Sequence, residues 1–155
     1  MKLTFSVLLL LWVLTGEQPL LGESRWPQFR GPNGQGVAEG KPPVEFGSAT
    51  NLLWQTALPA GHSSPCIWDD RIFLTALDGQ KLETICLQRR TGKILWRSPA
   101  PAEQIEKSHP TGSPAASTPA TDGRNVYVYF GSFGLLSYDF QGKEAWRKPL
   151  PMPVT

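Results

Sequence analysis

From Asn51 to Leu150 apolar and polar residues alternate in short runs, and each run stops at a turn signal. "NLLWQTAL" (51–58) alternates around Leu53. "SPCIWDD" and "RIFLTAL" read as a hairpin through Asp69-Asp70. "LETICLQ" follows, then a turn at Thr91-Gly92, then "KILWRS". After a polar, proline-rich stretch from Pro99 to Ser117 the series restarts: "STPATDG", a turn at Asp122-Gly123, "NVYVYFG", "GLLSYDF", a turn at Gln141-Gly142, "KEAWRKPL". Period-two alternation bounded by glycine and aspartate predicts half-buried strands. Beyond the N-terminal segment the only helical expectation is one brief turn around Ala102–Lys107.

The two series superpose. Pro65 falls on Pro119 and Ile72 on Val126, 54 residues apart; Gly92 falls on Gly142 and Trp96 on Trp146, 50 apart. Each unit is four strands and ends on a turn glycine, then a tryptophan. Four-stranded units at this period are the signature of propeller blades. A lone blade cannot bury both faces, so each needs a neighbour. The predicted fold is therefore all-β: a β-propeller segment of two four-stranded antiparallel blades (59–99 and 100–150) plus an orphan closing strand (51–58), an incomplete ring. Trp54, Gly92, Trp96, Gly142 and Trp146 are the candidate blade-docking residues: the glycine makes the tight turn, and the indole fills the gap between blades.

Ahead of the blades, residues 25–50 are rich in Gly, Pro and Asn-Gly, with no lasting period. They read as a loop-like lead-in anchored by Trp26 and Phe29. Residues 151–155 would begin a missing third blade. At the N-terminus Lys2 precedes the apolar run "VLLLLWVL" (7–14), then small residues up to Ser24. The run is shorter than the about 20 residues a membrane span needs and suits a signal peptide, 1–24, cleaved after Ser24. The mature chain is expected to be periplasmic or secreted, with no stable membrane anchor.

The 15 Gly and 15 Pro suit strands and turns better than a helical bundle, and a net charge of +2 with no like-charge run gives no case for nucleic acid.

The repeats resemble those of exported propeller proteins with pyrroloquinoline-quinone-type (PQQ-like) repeats, whose blade signature is Ala-x-Asp-x-x-Thr-Gly-x-x-x-Trp. "CLQRRTGKILW" keeps Thr91, Gly92 and Trp96 but has Cys86 and Gln88 at the Ala and Asp positions. "SYDFQGKEAW" keeps Asp139, Gly142 and Trp146 and is one residue shorter. "WPQFRGPNGQG", "SSP" (63–65) and "STPATDGRNVYVYFG" are also similar to the family. The resemblance implies about seven or eight blades, so two blades read as the N-terminal part of a larger propeller, a fragment. The family includes an outer-membrane-protein assembly component, which implies protein partners.

The same fold also serves quinone-dependent oxidoreductases, which hold PQQ centrally with Ca²⁺ and often carry a vicinal disulfide. Here no two cysteines are adjacent and no Asp/Glu/Asn cluster suggests calcium. Asp69-Asp70 reads as turn chemistry. Cys66 and Cys86 fall on the first and third strands of one blade, about 9–10 Å apart. A disulfide needs Cα atoms within about 7 Å, so both read as buried free thiols. His62 and His109 share no ligand spacing with them. No catalytic, cofactor-binding or metal-binding residue is assigned. His62, Ser63 and His109 sit where first strands enter the blades and are candidates for facing a central channel. The functional reading is a non-catalytic protein-binding or scaffolding propeller. The alternatives are a quinoprotein oxidoreductase, and a carbohydrate- or peptide-binding module using Trp68, Tyr127 and Tyr129.

Overall fold

The computed structural model describes residues 25–38 and 40–153. The expected signal peptide, 1–24, lies outside them, as do Glu39 and residues 154–155. No helix among the described residues is long and apolar enough to cross a membrane.

Two four-stranded antiparallel sheets follow one another along the chain, each in simple meander order. The first contains β1 (Cys66–Trp68), β2 (Arg71–Asp78), β3 (Lys81–Gln88) and β4 (Ile94–Pro99). The second contains β5 (Ala120–Thr121), β6 (Asn125–Phe130), β7 (Gly134–Asp139) and β8 (Glu144–Pro149). The all-β blade pair expected from the repeat is borne out, and the two sheets do not close a ring. Among the described residues the sole helical element is a 3-10 turn at Pro32–Gly34; 102–107 forms no helix.

Alternation explains the packing. In β2, Phe73 and Thr75 face the second sheet, while Ile72 and Ala76 face the other way. In β3, Leu82 and Cys86 belong to the first set, Ile85 and Leu87 to the second. Residues 82–87 are all buried, as expected of an inner strand covered on both faces. Cys66, Phe73, Cys86 and Trp96 are register partners and form one row across all four strands. Against this row packs the near face of the second sheet: Val126, Val128, Phe130, Leu136 and Tyr138. The first strands β1 and β5 approach each other, so the sheets fan outward from their inner edges.

The inner edge is not bare. Trp26 pairs with Ile67 through two hydrogen bonds of 2.8 Å. The next carbonyl, of Pro27, accepts the Thr121 N–H at 2.8 Å and the Cys66 thiol at 3.3 Å. Gly31, at φ +69°, lies under the Trp26 ring. The lead-in thus joins both blades at their first strands, a role its local composition does not reveal.

Residues 51–58 form no named strand, because no partner strand lies beside them among the described residues. They keep the strand alternation: Trp54, Thr56 and Leu58 are half-buried, while Leu53 is exposed.

Candidate functional site

The polar and aromatic groups concentrate at the junctions between blades. Gly92 ends the β3–β4 turn at φ +69° and is buried under the face of Trp54. The Trp54 indole N–H donates to the Arg89 carbonyl at 2.8 Å, and the Thr56 hydroxyl donates to the Gly92 carbonyl at 2.7 Å. The next junction repeats this. Gly142, at φ +85°, lies under Trp96, whose indole N–H donates to the Phe140 carbonyl at 3.0 Å. The Ser98 hydroxyl donates to the Gly142 carbonyl at 3.2 Å. A side chain at either glycine would enter the indole, so the seat requires glycine for space as well as for positive φ.

Each indole therefore docks on the turn of the following unit, not on the glycine of its own hairpin. The turn is held by its own backbone. Gly92 N–H donates to the Gln88 carbonyl, and Gly142 N–H to the Asp139 carbonyl. The Asp139 carboxylate also accepts the N–H groups of Gln141 and Lys143. A register shift after Cys86 recurs after Ser137, immediately before each turn.

Trp96 completes an aromatic cluster, with Phe73 at 6.0 Å and Tyr138 at 5.9 Å. Phe73 in turn meets Phe140 of the second blade at 5.1 Å. On the far face of the second blade, Tyr127 and Trp146 stand 6.1 Å apart, the same pairing one repeat later. No glycine turn covers them among the described residues, and Trp146 is 45% exposed.

The channel-facing candidates do not converge on one group. His62 is exposed, and its backbone N–H donates to the Ala115 carbonyl. Ser63 Oγ donates to the Thr75 carbonyl and accepts the Thr75 N–H, so it ties the entry loop to β2. His109 is exposed and its Nδ1 bonds the Thr111 hydroxyl at 2.8 Å. Trp68 is half-buried: it lies against Gly123 of the second blade, with the Arg25 guanidinium 4.6 Å from its ring. Tyr127 is half-buried and donates its hydroxyl to Asp122, whereas Tyr129 remains 37% exposed. The hydroxyls of Thr56 and Ser98 were absent from the sequence candidates. Their signal is the spacing Trp-x-Thr/Ser, visible at 54–56 and 96–98.

Cys66 and Cys86 are free, buried thiols. Burial pushes both up to about 12. Such thiols carry little thiolate and are poor nucleophiles or metal ligands at neutral pH. The described residues contain no group of three or more His, Cys, Asp or Glu able to hold a metal ion. The Asp69-Asp70 pair does not fit Ca²⁺, which takes about six to eight oxygens. Asp69 is engaged by Arg25, and Asp70 accepts from Gln88.

A family model described as outer membrane protein assembly factor BamB matches residues 47–155. A search of curated proteins gave no match.

Proposed function

The chain belongs to this family of PQQ-like repeat proteins, and from that premise we propose that it is a non-catalytic propeller protein acting in protein binding or scaffolding, in the periplasm or outside the cell. The supporting observation is how the junction chemistry is spent. The indole N–H groups, hydroxyls and turn carbonyls at Gly92 and Gly142 satisfy one another, and none is left poised for a reaction. Among the described residues, aromatic sheet surface is accessible at Tyr129 and Trp146. Aromatic side chains of this kind anchor protein interfaces. The apolar run at 7–14 and the small residues up to Ser24, read as a signal peptide, support a location outside the cytoplasm.

The competing reading is a quinone-dependent oxidoreductase. Two measurements separate them. A photo-reactive benzoylphenylalanine at Tyr129, with the chain expressed in its own cells, is expected to yield a discrete protein adduct. Titration of the purified chain with PQQ and Ca²⁺ is expected to give no saturable quenching of tryptophan fluorescence. Saturable quenching without a protein adduct overturns the binding reading.

A further inference from the structure

We propose that the end of the blades formed by the β1–β2, β3–β4, β5–β6 and β7–β8 turns rests reversibly on a membrane surface of anionic phospholipid headgroups. The proposal uses neither open sheet face and goes beyond the protein-binding reading.

All four turns lie at one end. In each meander they follow the first and the third strand. Two contacts show that both blades stand the same way up. Trp68, at the close of β1, lies against Gly123 of the β5–β6 turn, and Trp96, early in β4, lies on Gly142 of the β7–β8 turn.

This end carries an excess of cations. Arg25 pairs with Asp69 and Arg71 with Asp70, so those charges cancel in place. The carboxylates of Asp122 and Asp139 accept N–H groups of their own turns. Arg89 is tied to the Asp69 carbonyl. Arg90, Lys93, Arg124 and Lys143 are all exposed, and none of the ion pairs among the described residues uses them. Lys93 and Lys143 occupy the same repeat position, directly after the seat glycine. The backbone beneath each is fixed: the Lys93 N–H donates to the Thr91 hydroxyl, and the Lys143 N–H to the Asp139 carboxylate. The charges therefore project from held turns spread over two blades. The opposite end is balanced. There one arginine, Arg97, serves both Asp78 and Glu83, and Glu103 and Glu106 offset the lysines.

The pattern favours a headgroup plane over a protein. Protein interfaces draw most of their affinity from buried aromatic and arginine anchors in packed pockets. No exposed large apolar side chain lies in these four turns. A plane of phosphates needs only cations distributed over a face, and each Lys or Arg close to it strengthens partitioning by about fivefold. Asp122 and Asp139 stand among these cations and reduce the sum, which keeps the contact reversible and sensitive to salt.

The test is sedimentation of the purified chain with vesicles of phosphatidylcholine containing about 30% phosphatidylglycerol, at about 50 mM salt. The quadruple variant Arg90→Gln, Lys93→Gln, Arg124→Gln, Lys143→Gln is expected to partition about thirtyfold more weakly, with an unchanged urea midpoint. The double variant Lys81→Gln, Lys107→Gln, at the opposite end, should change partitioning by less than about twofold. Raising the salt to about 300 mM should weaken the parent chain about tenfold. Insertion through the apolar run at 7–14 would respond to neither the substitutions nor the salt. Equal partitioning of the chain and its quadruple variant overturns the proposal, as does equal partitioning onto phosphatidylcholine alone. So does displacement by inorganic phosphate at an ionic strength where chloride has no effect, which would mark a discrete phosphate site. Saturable binding of polyglutamate by a chain that ignores the vesicles would make an acidic protein the partner and overturn it too.

Discussion

Gly142→Ala separates steric fit from backbone strain at a blade junction. Gly142 sits at φ +85°, and a Cβ there would lie 2.7 Å from Cγ and Cδ2 of Trp96. Holding an L-residue in the left-handed region costs about 1–2 kcal/mol. Forcing a methyl into a packed contact costs about 1–3 kcal/mol more. The expected loss is therefore about 2–5 kcal/mol, a large share of the about 5–15 kcal/mol that holds a typical domain. The internal control is Gly79→Ala in the β2–β3 turn. Gly79 is also left-handed, at φ +61°, but nothing lies within 4 Å of its Cβ position. That variant should lose only the about 1–2 kcal/mol of strain. Urea unfolding followed by tryptophan fluorescence gives both values by linear extrapolation. If the two alanines cost the same, the indole is not seated on the glycine, and the junction geometry is wrong.

Trp96→Ala is expected to cost about 3 kcal/mol, the low end for a large aromatic, because the indole is half-buried against the core. Trp146→Ala, whose seat is uncovered, should cost under about 1 kcal/mol, and the same urea curves compare them. Neither thiol should react with Ellman's reagent at pH 8 in the folded chain, and both should react after denaturation. Cys66 and Cys86 rise from 9.0 to about 12 on burial, so folding favours their neutral form. That contribution is intact below pH 9 and is lost as pH climbs toward 12, which thermal melts across that window will show. Asp122 behaves oppositely. The N–H groups of Asn125 and Arg124 and the Tyr127 hydroxyl hold its carboxyl at about 2, below the ordinary 3.8. Its contribution is present above that ordinary value and fades as pH falls toward 2, which a carboxyl ¹³C titration reads directly.

The strand pattern and the repeat were legible because both are local. Period-two runs give β2, β3, β6 and β7, and the glycine-to-tryptophan spacing marks each final hairpin. Which indole meets which glycine was only partly legible. Trp96 docks on Gly142, in the next repeat, and nothing near Trp96 encodes that. The lead-in was opaque for the same reason. "WPQF" carries no alternation, yet its Trp26 and Pro27 pair with residues of two different sheets. Trp68 was read as an available aromatic because its cover, Gly123, lies in the other blade. Residues 51–58 show the converse: alternation predicts a strand, but a strand needs a partner to form a ladder.

The direction of the seats imposes an order of events on a chain that emerges N-terminus first. Trp54 has nowhere to settle until Gly92 has appeared, and Trp96 must wait for Gly142. Each blade thus leaves the ribosome with its last indole still wet, and gains its cover only when its successor arrives. A stall between residues 96 and 142 would strand one finished sheet with a bare aromatic flank, the species most in need of a holding chaperone.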